Sequence, residues 1–289
     1  MKHWLLAFRP KTLTAAVVPI FVGTTLVVAL GYPLKWWISL FALLASLFIQ
    51  IGTNLINDAM DFKKGADTQE RIGPSRITQQ GHAKFNTVYS LGLVFFALAL
   101  ALGIPLAVAG GWPIVLIGLL SLMCGYAYTG GPFPLAYRGL GDLFVILFFG
   151  IIAVSGLTYL HTKEWHIESL LAGLQVGCLA TVLIAINNFR DMDGDIKANK
   201  KTLAVRFGAT FVRIEIAFLI AISFAINFYW WSEGFKIAAV LSSLAFPIGI
   251  LVIKNIFTHQ PSPLYNKFLA QSALLHLLFG VLLSLGFAI

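Results

Sequence analysis

Nine runs of about 20 apolar residues, separated by polar breaks, dominate this chain, and a helix of that length crosses roughly 30 Å of hydrocarbon. They fall at residues 12–31, 37–56, 86–109, 113–129, 141–160, 169–187, 211–231, 236–257 and 266–288. The alternating ten-residue pattern of a membrane barrel is absent, so the runs predict an all-α integral membrane protein. Its nine transmembrane helices would form one bundle, a single domain over residues 1–289. A soluble core needs less than the 58% hydrophobic residues and mean hydropathy of +0.86 found here.

Orientation follows from the basic residues. Of the 20 Lys and Arg, 17 fall on the N-terminal side of the predicted membrane and only Lys35, Lys163 and Lys236 on the other. This bias predicts a cytoplasmic N-terminus and a C-terminus outside. The formal net charge of +8 gathers on the cytoplasmic face, where anionic lipid headgroups attract it. Met1–Pro10 is too short and polar for a secretory leader, so the first span is expected to be retained.

Several conspicuous residues read as packing. Cys124 and Cys178 lie inside predicted spans without metal-ligand spacing, and His161, His166, His259 and His276 show none either. Trp36, Trp37, Trp230 and Trp231 fall near span ends and are expected in the interfacial aromatic belt. Phe95, Phe96, Phe148 and Phe149 are expected to pack against core or lipid. Gly130-Gly131-Pro132 is a turn without nucleotide-loop spacing. Neither a nucleic acid nor an obligate protein partner is implied.

The carboxylates are harder to dismiss. Two clusters sit at the ends of apolar runs: Asn54-Leu-Ile-Asn57-Asp58-Ala-Met-Asp61 and Asn187-Asn188-Phe-Arg190-Asp191-Met-Asp-Gly-Asp195. Spacings of three, four and seven put Asn54, Asp58 and Asp61 on one helical face, and Asn187, Asp191 and Asp195 are spaced by four. One acid-rich helix end is ordinarily a solvated end paired with a nearby lysine. Two matching ones, each ringed by Lys and Arg, point instead to a shared Mg²⁺-diphosphate site, because Mg²⁺ takes few carboxylates, several waters and phosphate oxygens.

The clusters resemble the paired Asp-rich motifs of the UbiA superfamily of intramembrane prenyltransferases, which follow the second and sixth helices. The first motif, NDxxDxxxD, is matched by Asn57, Asp58 and Asp61; its last acid falls on Gly65, with Asp67 two residues later. The second, DxxxD, is matched by Asp191 and Asp195. The likeness extends to the branch that prenylates 1,4-dihydroxy-2-naphthoate in menaquinone synthesis. It rests on Arg9-Pro-Lys11-Thr-Leu-Thr, Lys64-Gly-Ala-Asp67-Thr, Gly73-Pro-Ser-Arg76-Ile-Thr-Gln, Tyr128-Thr-Gly-Gly-Pro-Phe-Pro-Leu-Ala-Tyr-Arg138-Gly-Leu-Gly and Lys201-Thr-Leu-Ala-Val-Arg206-Phe-Gly. The Tyr-x-x-x-Lys element of some members is not kept, since Tyr126 is followed four on by Gly130.

The resemblance implies a reaction in which a polyprenyl group passes from its diphosphate to the naphthoate ring with loss of CO₂. It implies Mg²⁺ held by Asp58, Asp61, Asp191 and Asp195, with Asn54, Asn57, Asn187 and Asp67 as further ligands or supports. Lys63, Lys64, Arg138, Arg190 and Lys197 become candidates for the diphosphate, and Arg9, Lys11 and Arg76 for the carboxylate of the aromatic acceptor. Two alternatives stay open: another acceptor, such as a hydroxybenzoate, homogentisate or chlorophyllide-type substrate, on the same fold, or a secondary transporter. A transporter would carry its coupling acids near the bilayer midplane, not at span ends.

Overall fold

The computed structural model describes residues 2–65, 72–73 and 76–289, and among these every regular element is helical. Helix α1 (Lys2–Ala7) leads through Arg9, in the left-handed region at φ 52°, into α2 (Pro10–Ala29). Pro10 opens α2 where a missing N–H costs nothing. The next two helices, α3 (Trp36–Lys63) and α4 (Phe85–Gly110), pack along their length. Small residues make this possible: a Cβ on Gly52 would meet the Gly92 carbonyl oxygen at 3.0 Å, and close backbone approach is what drives helix association where lipid is the solvent.

After α5 (Trp112–Ala127), a turn brings the chain to α6 (Gly141–Ile146), which runs through one π-helical turn (Leu147–Ile151) into α7 (Ile152–Thr162). The π turn is where Gly150 lies against Gly173 and Gly177, one helical turn apart on α8 (Ile167–Arg190), leaving no room for a side chain. The short α9 (Met192–Lys197) follows, then α10 (Leu203–Ala225), α11 (Asn227–Ser232), α12 (Lys236–Ser243), α13 (Phe246–Thr258) and α14 (Tyr265–Ala288).

Eight helical segments among the described residues are long and apolar enough to cross a bilayer, so the chain is a multi-pass membrane protein. The remaining expected span, 113–129, is the 16-residue α5, about 24 Å long at the helical rise. The span expected from 211 is preceded by a short helical segment that starts at Leu203, capped by Thr202, and Gly208 (φ 80°) breaks the helix between that segment and the apolar run. Trp36, Trp37 and Trp231 are exposed at helix ends, as a belt requires. Trp230 is a correction: it is fully buried and donates its indole N–H to Gln175 at 2.6 Å. Its neighbour in sequence faces lipid, so the helix period separates two residues that a span-end argument treats alike.

The largest packed core belongs to α2, α8 and α10–α14, centred on residues such as Val22, Leu26, Ile186, Ile220, Tyr265 and Phe279. The α2–α7 side instead holds an apolar cavity of about 360 Å³. Thr53, Gly125 and Tyr128 line one end and Leu106, Ile114, Leu157 and Leu160, a small core of their own, line the other. Phe148 and Phe149 border it as well, and Phe149 also packs against the small core of Ala15, Val145 and Ala180.

Candidate active site

The acids of the first cluster lie within α3, because the helix continues to Lys63 beyond its apolar run. Asp58 is 1% exposed, and its two oxygens accept the consecutive backbone amides of Ile77 and Thr78, each at 3.1 Å. Asp61, one turn on, accepts the Tyr137 hydroxyl at 2.9 Å on one oxygen and faces Arg76 at 3.4 Å on the other. Asn57 accepts the Thr129 hydroxyl, while Asn54 donates to the Phe8 carbonyl and the Thr12 hydroxyl. Asn54 thus anchors the segment carrying Arg9 and Lys11 to α3.

The second cluster closes α8. Arg190 is buried, and its Nε and one terminal nitrogen grip both oxygens of Asp191 at 2.7 Å. The same terminal nitrogen also donates to Asn187, and the other donates to Asn266. Asp195 sits in α9, buried, with Lys200 at 3.3 Å from one oxygen. Its other oxygen, Oδ2, is buried without a hydrogen-bond partner among the described residues.

Lys200 was not legible as a site residue from its spacing, yet it is where the clusters meet. Helix α9 ends with Asn199 in the left-handed region (φ 54°), the Asn199 amide bonding the Ile196 carbonyl and the Lys200 amide the Asp195 carbonyl. This Schellman closure folds the chain back so that Lys200 stands over Asp195. Burial opposes the Lys200 charge, but Asp195, Asp61 and Asp191 together outweigh it and hold its pKa above the ordinary value. An acid of the first cluster and two of the second therefore act on one ammonium.

Tyr137 is the second residue that spacing did not reveal. Its hydroxyl bonds Asp61, its ring lies 4.3 Å from Lys64 Nζ and 5.9 Å from Lys200 Nζ, and its carbonyl accepts the Lys201 amide at 3.0 Å. The connection between α5 and α6 thereby lies across the site and ties it to the segment after α9. The only advance signal was the Tyr-Arg pair in a turn-rich stretch.

The expected cations separate into two groups. Lys64 donates to the Thr129 carbonyl at 2.6 Å beside Tyr137, and Arg76 is buried against Asp61. Lys63 lies over Phe85, Arg138 is stacked on Phe133, and Lys11 and Lys197 are exposed. Asp67 lies outside the described residues. Among the described residues no three His, Cys, Asp or Glu side chains converge into a ready-made metal cage. The donor set nevertheless fits a hard cation bound partly through water and substrate: it is all oxygen, and Asp195 Oδ2 is an unpartnered buried acceptor.

Residues 16–283 match the UbiA prenyltransferase family. The chain belongs to that family. A relative, the 1,4-dihydroxy-2-naphthoate octaprenyltransferase of Bacillus subtilis, is 34% identical over 97% of this chain and 90% of its own length. In fold the chain is similar to the apo structure of a UbiA homolog from Aeropyrum pernix K1, with a TM-score of 0.73 at 16% identity over 96% of this chain and 97% of that one. It is also similar to a UbiA homolog from Archaeoglobus fulgidus bound to DMAPP and Mg²⁺, with a TM-score of 0.67 at 18% identity over 98% and 99% of the two chains. UbiA membership and acids at the ends of α3 and α8 set the transporter alternative aside.

Proposed function

We propose that this chain transfers a polyprenyl group from polyprenyl diphosphate to 1,4-dihydroxy-2-naphthoate, releasing diphosphate and CO₂ and giving the quinol form of a demethylmenaquinone. The observation that carries the reading is the meeting of both acidic clusters at Lys200, which pairs with Asp195 at 3.3 Å and lies 5.9 Å from the ring of Tyr137, itself bonded to Asp61. The near full-length likeness to a naphthoate octaprenyltransferase supports the acceptor. The reading places nine helices across the cell (inner) membrane, α5 included, with the N-terminus and the active site on the cytoplasmic side, where 17 of 20 basic residues fall.

Mg²⁺, held by Asp61, Asp191 and Asp195 with Asn57 and Asn187 nearby, would neutralise the diphosphate; Asp58, by its two amide bonds, holds the loop after α3 in place. Lys200 and Lys64, both near the Tyr137 ring, meet the charge that grows on the departing diphosphate. Arg190, committed to Asp191, fixes that acid and is a support for the diphosphate site rather than a contact. The allylic carbon then lies at Thr53, Gly125 and Tyr128, with its tail in the cavity below. Gly103 and Gly118 line that cavity with nothing within 4 Å of an added Cβ, and their neighbours Leu100, Ile104 and Leu119 are exposed, so a long tail leaves sideways into lipid there. Arg76 and Arg9 are the cations for the naphthoate carboxylate until it leaves as CO₂.

The test uses membranes containing the chain, labelled dihydroxynaphthoate and a polyprenyl diphosphate, with Mg²⁺ or EDTA. A lipophilic prenylated product that needs Mg²⁺ and disappears in Asp61→Ala and Asp191→Ala is expected. Turnover of another aromatic acid but not of dihydroxynaphthoate would overturn the acceptor and keep the chemistry.

A further inference from the structure

Asp142, in the first turn of α6, is 4% exposed, and its Oδ1 has no hydrogen-bond partner among the described residues. A buried carboxylate oxygen left unpaired carries its full desolvation cost, so its persistence calls for a ligand. Its place narrows which one. Val145, three residues on in the same helix, lines the apolar cavity, and Asp142 lies one turn before it, ahead of the cavity's own lining. The preceding Gly141 lies against the Tyr128 hydroxyl, 3.0 Å from where a Cβ would be, and Tyr128 lines the end of the cavity nearest the acidic clusters. Lys200 acts electrostatically on Asp142. Asp142 therefore stands between the charged layer and the apolar space, the level at which an attacking ring must meet the allylic carbon.

Chemistry narrows it further. On the proposed reaction, the diphosphate and the acceptor's carboxylate offer only hydrogen-bond acceptors, and the prenyl tail offers neither donor nor acceptor. The ring hydroxyls are the only donors that either substrate brings. We propose that Asp142 accepts a hydrogen bond from a ring hydroxyl of the aromatic acceptor, fixing the ring's orientation over the allylic carbon. Such a bond also leaves more electron density on the ring carbon that attacks. The assignment rests on the prenyltransferase reading and goes beyond it by naming the group that recognises the acceptor's hydroxyl.

The full-length chain is assayed for prenylation of 1,4-dihydroxy-2-naphthoate, with 2-naphthoate, 1-hydroxy-2-naphthoate and 4-hydroxy-2-naphthoate as competitive inhibitors. Wild-type turnover reports on the parent reading alone; the inhibitor ratios report on Asp142. One of the two monohydroxy compounds is expected to bind the wild type about 10- to 100-fold more tightly than 2-naphthoate, the size of a charge-assisted hydrogen bond. Asp142→Ala abolishes that preference and leaves the KM for prenyl diphosphate within about twofold, which a collapsed α6 would not. If Asp142→Ala does not accumulate, Asp142→Asn is expected to shift the same ratio in the same direction by a smaller factor. A variant that keeps the wild-type ratio, as when Asp142 holds only a water, overturns the assignment.

Discussion

The two sides of the bundle solve the membrane's packing problem in opposite ways. Around α8 and α10–α14, Gln175 is completely buried and satisfied on every side. It donates to the Ser223 carbonyl and to Asn227, and accepts from Trp230, while Asn227 passes the network on to Ser243. Gly286 and Ala238 bring α14 and α12 into backbone contact. Across the molecule, α5 has a single buried residue, Ile114, and it leans on the bundle near its ends, where Gly110 meets Ile114 and Leu160 and Gly125 meets Thr53. One side is a scaffold; the other is a wall around a space. In lipid, where apolar burial drives little association, a wall with few contacts is tolerated and leaves room for an apolar substrate.

The comparison breaks most sharply at the layer that joins the two sides. Lys200→Ala removes the ammonium on which Asp61, Asp191 and Asp195 act, and is expected to lower kcat by roughly 10²- to 10³-fold; a loss below tenfold in the prenylation assay would separate Lys200 from the chemistry. The scaffold should respond in stability instead. Gln175→Leu strands the Trp230 indole and Asn227, at about 1–3 kcal/mol, so the thermal midpoint in detergent falls while turnover per folded molecule stays near wild type. The smallest effect belongs to the wall. Gly118→Leu puts a side chain into the opening beside Leu119, leaves the midpoint unchanged and raises the KM for an octaprenyl donor a few-fold against geranyl diphosphate, where equal effects on both donors would show that the tail does not pass there.

The scaffold and the wall were not equally legible. Runs of 20 apolar residues announce helices whatever their neighbours, which is why α2, α3, α4, α8 and α14 stand close to where the sequence puts them. The breaks at Ile226 and Leu244, and the π turn at Leu147–Ile151, depend on what packs opposite and leave no comparable trace. In the site the acids were legible because charge at the end of an apolar run is conspicuous. Lys200 and Tyr137 were not, since one arrives by a left-handed turn at Asn199 and the other by a connection folded over Asp61. The burial of Trp230 was hidden for the same reason: its partner, Gln175, lies 55 residues away.

Asp58 carries one more consequence, in the entropy of the chain. The connection between α3 and α4 runs over residues 64–84, and a flexible stretch of that length has many ways to close. By holding the amides of Ile77 and Thr78, the Asp58 carboxylate ties a second point of the connection to α3, which costs further conformational freedom. What that cost secures is position. Arg76 stands immediately before the clipped amides, so the place where a guanidinium meets Asp61 is set by an acid one helical turn earlier, whatever the composition of the residues strung between.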